Sequence, residues 1–295
     1  MVNFNKNNFK VDFIGVGVPK AGTTWVSQCL KEHPQICLSR PKEINFFNKN
    51  HSFYSKNKSW NYHYGIDWYK KHFIHCQQKQ IKGEFSVYYF YDQEAPRLIY
   101  DNFPDVKIII VLRNPIDRLY SHYLHAKLKG LPSFEEIIKK EKDFVEQGFY
   151  YRYIKNYLEY FSKDRILVMI YEDMKKSPLS FIQGIYNFLG VDYNFTPDSL
   201  NNIINPTAPK AFSLRFAYMK FSEKMNQKIM LSPFVKLIKL TRLNLVTRKI
   251  INDLGNKQTK YKEIYPETRS ELKKIYLPQI KKLEKLISRD LNFWQ

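Results

Sequence analysis

Three short apolar runs set the rhythm of the chain. Residues 11–18 (VDFIGVGV) form a short apolar run, broken only by Asp12, with β-branched side chains and glycines toward its end, which predicts a buried strand. Residues 106–113 (VKIIIVLR) are the clearest such run, and 165–171 (RILVMIY) make a third. Continuous rather than alternating apolar character suits a parallel sheet covered on both faces. Helical patterns lie between the runs. TTWVSQCLKEH follows the first, with Thr23 or Thr24 as N-cap and His33-Pro34 as the stop. Asn114-Pro115 supplies a cap and a first-turn proline for a helix reaching about Lys129. An aromatic-rich helix over about 147–161 precedes the third strand, and PLSFIQGIYNFLG follows it. Alternation of strands and helices predicts an α/β fold with a central parallel sheet flanked by helices. Residues 210–252 read as helical, interrupted at Pro233, and a last helix starts at Pro266. With no repeat or low-complexity linker, a single domain over 1–295 is expected.

Charge changes this picture in one place. The formal net charge is +20, and between Lys210 and Lys262 thirteen Lys/Arg face only Glu223 and Asp253. Such an excess favours an anionic partner: nucleotide, nucleic acid, acidic glycan or membrane surface. A nucleic-acid binder is the rival class, but no recognised module is present and the aromatic residues lie mainly in apolar elements, so no nucleic acid is expected. Residues 210–252 fit a groove wall for an acidic polymer, a solvated helical hairpin, or a peripheral membrane contact, in that company the last. No apolar run approaches the ~18 residues of a membrane span. The polar start MVNFNKNNFK does not resemble a secretory signal. Three cysteines (Cys29, Cys37, Cys76), odd in number and not in metal spacing, lead to the expectation of free thiols in a reduced, cytoplasmic compartment. His72, His75 and Cys76 lack a second ligand pair, and His122 and His125 sit one helical turn apart on a helix; no metal is expected.

The candidate chemistry starts at GVGVPKAGTTW, residues 15–25. Gly17 and Gly22 are five apart, as in the nucleoside-triphosphate loop, yet Thr23 stands where that loop has its lysine, and Lys20 lies inside the turn. A glycine-rich turn opening a helix is an anion site through its N–H groups and the helix dipole. The alternative is an ordinary βα turn using glycine and threonine for geometry. The missing lysine after Gly22 speaks against a P-loop kinase. Downstream, LRNPIDRLYSHY (112–123) puts Arg113 at a strand's C-terminal end and Ser121 two turns into the next helix. Ligands of open parallel sheets bind outside the strands' carboxyl ends, so Arg113 and the 20–25 loop are expected to converge there. An arginine fork with a serine hydroxyl suits a second phosphate; the alternative is an Arg113–Asp117 ion pair.

At this point the chain resembles the sulfotransferases that use 3′-phosphoadenosine 5′-phosphosulfate (PAPS). PKAGTTW is similar to their 5′-phosphosulfate loop and IIIVLRNPIDRLYSHY to their 3′-phosphate motif. EINFFN followed by NYHYGIDWYKKHF, then EAPRLIYDNFPDVKIII, is similar to heparan sulfate N- and 3-O-sulfotransferases. The ending YPETRSELKKIYLPQIKKLEKLISRDLNFW resembles bacterial sulfotransferase-domain proteins. The likeness is weakest over about 200–260, where the family commonly carries a variable helical insert, here the basic segment 210–252. It implies a P-loop NTPase-like three-layer fold, PAPS as donor, no metal, and a carbohydrate acceptor, with a lipid or secondary metabolite as the other possibility.

The resemblance also implies roles. Lys20 matches the catalytic loop lysine that neutralises the leaving phosphate, and Lys20, Ala21, Gly22, Thr23, Thr24 and Trp25 form the donor loop. Trp25 either stacks on adenine or packs in the core, and packing is favoured. Arg113 and Ser121 match the residues that hold the 3′-phosphate. Glu43, in RPKEINFF, matches the catalytic glutamate of heparan-type enzymes. An apolar aromatic strand after it would leave Glu43 partly desolvated, as a base requires; the alternative is a surface pair with Lys42 or Arg40. In GEFSVYYF (83–90), Phe85 replaces a lysine that lies near the acceptor in heparan-type enzymes, so that role does not carry over. Glu84 and Ser86 are candidates to line the acceptor site, with a structural anchor as the other reading of Glu84. Lys257 and Lys260, before YPE, are candidates for the nucleotide lid, or else solvated lysines.

Overall fold

The computed structural model describes residues 9–48, 61–78, 80–126, 132–201 and 264–295. The basic segment 210–252 and the lid candidates Lys257 and Lys260 lie outside the described residues. Contacts divide the chain into two units, one of Met1–His122, Pro132–Ile204 and Tyr265–Gln295, the other of Tyr123–Leu131 and Asn205–Ile264. The first unit carries the sheet and the elements discussed below, apart from residues 123–126.

Five strands form the sheet: β1 (Phe13–Gly17), β2 (Ile36–Leu38), β3 (Ile81–Phe85), β4 (Lys107–Leu112) and β5 (Ile166–Ile170). They pair in the order β2-β3-β1-β4-β5, parallel throughout. All five residues of β1 are buried, as are the last five of β4, which is the two-sided burial their continuous apolar runs predict. β2 and β3 escape the apolar-run criterion. β2 has three residues, and β3 (IKGEF) carries a lysine and a glutamate.

Close packing explains the glycines of β1 and β3. Phe13 is registered against Gly83, and Gly15 against Phe85. A Cβ on Gly15 would come within 2.1 Å of the Phe85 ring, and one on Gly83 within 2.2 Å of the Phe13 ring. Each phenylalanine occupies the space its partner glycine leaves. Phe85 is therefore a core residue, 1% exposed, which is why an aromatic side chain stands there.

The helices are α1 (Thr23–Glu32), α2 (Ile66–Lys70), α3 (Ala95–Asn102), α4 (Pro115–Ala126), α5 (Phe134–Lys140), α6 (Lys142–Glu146), α7 (Tyr150–Leu158), α8 (Tyr171–Lys176), α9 (Pro178–Leu189) and α10 (Pro266–Ile287). Asn114 caps α4 as its sequence predicts, its Oδ1 accepting from the N–H groups of Ile116 (3.0 Å) and Asp117 (3.3 Å). The start of α1 is different. Neither Thr23 nor Thr24 is the cap; Gly22 is, with φ 83° and no side-chain bond, and Thr23 is already helical. The left-handed turn at Gly22 replaces the hydroxyl cap. α10 buries Leu272, Tyr276, Ile280 and Leu283 along one face, and the Tyr276 hydroxyl donates to the Val145 carbonyl at 2.7 Å.

Two expectations are corrected. The INFF stretch after Glu43 is no strand; residues 43–46 lie in an irregular segment. Cys37 and Cys76 are joined in a disulfide, leaving only Cys29 free and buried. A separation of 39 residues gives no spacing signal, and the pairing removes the premise of three free thiols. Among the described residues no helix is long and apolar enough to cross a membrane.

Candidate active site

Most of the sequence-predicted site residues within the described residues lie at or just beyond the C-terminal end of a strand, while Trp25 lies in α1 and Ser121 in α4. Lys20 follows β1, Glu43 follows β2, Glu84 is the last but one residue of β3 with Ser86 just beyond the strand, and Arg113 follows β4. From β1 the chain moves to one edge of the sheet, through β2, and later crosses to the other side as β4 and β5. The switch point lies between β1 and β4, where an open parallel sheet forms its ligand crevice. Their register slips between Gly15 and Gly17, an irregularity of the kind that re-aims a chain beside a site.

The predicted convergence at this switch point is present. Arg113 Nη1 donates to the Lys20 carbonyl at 3.0 Å. The Arg113 guanidinium also lies over the Tyr171 ring at 4.7 Å, and the Tyr150 hydroxyl donates to the Arg113 carbonyl at 2.9 Å. Asp117 pairs with Arg269 at 2.9 Å, not with Arg113. Lys20 has φ 71°, unusual for a residue with a Cβ, and the turn is closed by Gly22. A Cβ on Gly22 would come within 3.0 Å of Met174 and 3.1 Å of Tyr171, so α8 backs the loop closely. Burial, with Arg113 adding repulsion, pushes the Lys20 ammonium down to about 8. A partly buried cation beside an arginine and a helix N-terminus is an environment that an anion relieves.

The remaining loop residues divide. Ala21 and Thr23 are buried, and Thr24 is exposed. Trp25 does not offer its ring to a ligand: it is 2% exposed, packs edge-on against Phe181, and donates from Nε1 to the Ser199 carbonyl at 3.2 Å. Ser121 sits on the second turn of α4, 4% exposed.

The β2–β3 side holds two carboxylates in unlike settings. Glu43 is partly exposed, with φ 66°, and its carboxylate receives Lys42 Nζ at 3.0 Å. Its backbone N–H donates to the Phe85 carbonyl at 2.9 Å. Glu84 is fully buried beneath it. Three hydroxyls donate to its carboxylate: Ser86 at 2.7 Å, Tyr69 at 2.9 Å and Tyr89 at 3.0 Å. Burial raises its pKa to about 7 against the pull of those hydroxyls, and the Glu43 charge adds to the rise.

The same hydroxyls reach the Glu43 segment. Ser86 Oγ accepts the Asn45 N–H at 3.0 Å, and the Tyr89 hydroxyl accepts the Phe46 N–H at 2.7 Å. Glu84 and Ser86, expected to line an acceptor pocket, are instead both wholly buried under the segment. They form a polar pedestal, the structural-anchor reading of Glu84. Of the four non-glycine residues with positive φ among the described residues, Lys20, Glu43 and Asn45 belong to this site. Strained backbone of this sort persists where the surroundings over-determine it.

Sequence reasoning missed Tyr69, Tyr89, Tyr150 and Tyr171. Each acts through one hydroxyl or one ring face, and no spacing distinguishes them among 22 tyrosines.

Comparison with known proteins agrees with this geometry. A family model described as "Sulfotransferase domain" matches residues 10–283. The human bifunctional heparan sulfate N-deacetylase/N-sulfotransferase 3 is 30% identical over 211 residues, covering 62% of this chain and 23% of that protein. Mouse heparan sulfate glucosamine 3-O-sulfotransferase 6 is 31% identical over 186 residues, covering 60% of this chain and 51% of that one. The chain thus spans from about a quarter to half the length of these curated relatives. The crystal structure of a sulfotransferase from Alicyclobacillus acidocaldarius superposes with a TM-score of 0.68 at 25% identity, over 97% of this chain and 99% of that one. A mouse sulfotransferase complexed with PAP shares the fold, with a TM-score of 0.50 at 16% identity over 92% of this chain and 86% of that one. With the family match running across nearly the whole chain, and its loop and arginine meeting at the switch point, the protein belongs to the sulfotransferase domain family.

Proposed function

We propose that this protein transfers the sulfuryl group of PAPS to a hydroxyl or amine of a carbohydrate acceptor. The observation that carries the reading is the bond from Arg113 to the Lys20 carbonyl, which joins two anion-binding elements at the switch point. One phosphate at the 20–24 loop and another at Arg113 and Ser121 match a donor with phosphates at both ends of its ribose. ATP has no second phosphate site on its sugar, and the loop lacks the lysine after Gly22 that its β- and γ-phosphates need.

In the transfer, the acceptor oxygen or nitrogen attacks sulfur in line as the bond to the 5′-phosphate oxygen breaks. Glu43 takes the acceptor's proton. Lys20 offsets the charge that accumulates on the departing phosphate. Arg113 and Ser121 hold the 3′-phosphate and so fix the donor in line. In the described structure Lys42 occupies the Glu43 carboxylate, and an acceptor would have to displace or share that contact. Heparan-type relatives support a glycan acceptor, while Phe85, packed over Gly15, argues against assigning heparan itself. The sulfuryl transfer needs no metal.

Thermal shift with 3′-phosphoadenosine 5′-phosphate, ATP and a DNA oligonucleotide tests the donor reading. The first should stabilise most; equal stabilisation by ATP would overturn it. Acceptors are then screened with labelled PAPS. Glu43→Gln should lower turnover about 10²–10⁴-fold while retaining nucleotide binding. Near-normal turnover would move the base elsewhere.

A further inference from the structure

The Cys37–Cys76 disulfide lies beside the segment that carries Glu43. Cys37 is buried in β2, one residue before that strand ends, whereas Cys76 is the more exposed partner. His75 Nε2 is 3.5 Å from Cys37 Sγ and 3.1 Å from the Leu38 carbonyl. A carbonyl only accepts, so this nitrogen carries a proton and directs it toward both oxygen and sulfur. Further bonds lace the two cysteine segments together. The Arg40 N–H donates to the His72 carbonyl at 3.0 Å, and His72 Nδ1 donates back to the Arg40 carbonyl at 2.9 Å. Ser39 Oγ donates to the Pro41 carbonyl at 3.1 Å, and two residues later the chain reaches Glu43. The disulfide therefore ties the entry of the Glu43 segment to the 71–76 turn.

We propose that Cys37–Cys76 is a thiol–disulfide exchange site whose redox state governs how firmly the Glu43 segment is held. The co-reactant is a small thiol or dithiol. Its thiolate attacks the more exposed Cys76 Sγ, the Sγ–Sγ bond breaks, and the electron pair leaves on Cys37 Sγ. His75 Nε2–H donates to that new thiolate, a far better acceptor than the sulfur of a disulfide. The second thiol of the reductant then displaces Cys76 and closes its own disulfide. Two electrons and two protons pass to the protein, giving two cysteine thiols and one oxidised dithiol. With the cross-link gone, the residues entering the Glu43 segment keep only hydrogen bonds to the 71–76 turn.

The effect on turnover rests on the proposed function, but the effect on the segment does not. Amide hydrogen exchange reads the segment directly through the N–H groups of Glu43, Asn45 and Phe46, whose acceptors are Phe85, Ser86 and Tyr89. Reduction with dithiothreitol should speed exchange at these three amides by about tenfold or more under native conditions where they open locally, while β4 amides, which exchange only through global opening, report the separate loss of overall stability. Oxidised glutathione should restore protection. Mass spectrometry after glutathione treatment should find the mixed disulfide on Cys76, and His75→Ala should slow reduction by about tenfold relative to wild type. Turnover should fall on reduction while binding of 3′-phosphoadenosine 5′-phosphate stays constant. Unchanged exchange at the three amides, an adduct forming first on Cys37, or a His75→Ala variant reduced at the wild-type rate would each overturn the proposal. Loss of all turnover in both redox states, with the exchange response intact, would count against the transferase reading instead.

Discussion

Arg113 donates to the Lys20 carbonyl at 3.0 Å, and its charge joins burial in holding the Lys20 ammonium down at about 8. One guanidinium both fixes the loop's course and destabilises the loop's own cation. Because the folded-state value lies below the ordinary 10.5, the unfolded chain binds more protons between pH 8 and 10.5. Stability of the ligand-free protein from this group therefore rises with pH across that window. Below pH 8 the cost is fully present, on the order of 3 kcal/mol. Lys20→Met should melt above wild type at pH 7, by a margin that shrinks toward pH 10, and should lose transfer activity. Identical melting temperatures at both pH values would contradict this account.

A bound polyanion reverses the balance at Lys20. Around pH 8 to 9 the free protein holds this site partly deprotonated, and a phosphate beside the ammonium favours the charged form. Binding of 3′-phosphoadenosine 5′-phosphate at pH 8.5 should take up roughly half a proton or more from solution. Calorimetry in two buffers of different ionisation enthalpy measures it. Lys20→Met should show no such uptake.

Arg113 is expected to discriminate by the ligand's second phosphate. Arg113→Ala should weaken 3′-phosphoadenosine 5′-phosphate by about 30–100-fold, the scale of a charge-assisted contact. Binding of adenosine 5′-phosphate, which lacks the 3′-phosphate, should weaken much less. Titration of both nucleotides against both proteins gives the coupling directly. Equal losses for the two would confine Arg113 to its structural bond with Lys20.

What the sequence made legible follows from what is local. β1 and β4 announce themselves because burial on both faces demands unbroken apolar runs, and β5 is legible from its apolar run although, at the sheet's edge, only Ile170 of its five residues is fully buried. The meeting of Arg113 with the Lys20 loop was legible because a parallel sheet puts its ligand at the strands' carboxyl ends. The Glu43 side was not. Its support comes from Tyr69, Tyr89, Glu84 and Ser86, whose partners lie up to 43 residues away. The disulfide was hidden in the same way. Trp25 shows the converse: its helical position fits both a ligand face and a core face, and only packing against Phe181 decides between them.

Glu84 should reveal its anchoring role through pH. Its folded-state value of about 7 lies above the ordinary 4.5, so the folded protein binds more protons between those values. Stability from this group falls as pH rises from 4.5 to 7, and the cost, on the order of 3 kcal/mol, is fully present above 7. Glu84→Gln keeps an acceptor for the tyrosine hydroxyls and should raise the melting temperature at pH 8 but not at pH 4.5. Glu84→Ala strands three hydroxyls and should lose roughly 2–4 kcal/mol of stability. Its turnover should drop while nucleotide binding survives. A pH-independent difference between wild type and Glu84→Gln would contradict the raised value.

The Cys37–Cys76 link should act on the unfolded chain as well as on the Glu43 segment. Its cysteines are 39 residues apart, and the chain-entropy relation for a loop of that length gives about 4 kcal/mol. The double variant Cys37→Ser with Cys76→Ser should lose stability on that scale in urea unfolding. Because the unlinked unfolded chain exposes more surface, the denaturant slope should also steepen. The two effects separate the cross-link from the neighbouring hydrogen bonds, since removing His75 touches neither the loop length nor the slope. A loss below about 1 kcal/mol with an unchanged slope would contradict the loop-closure account.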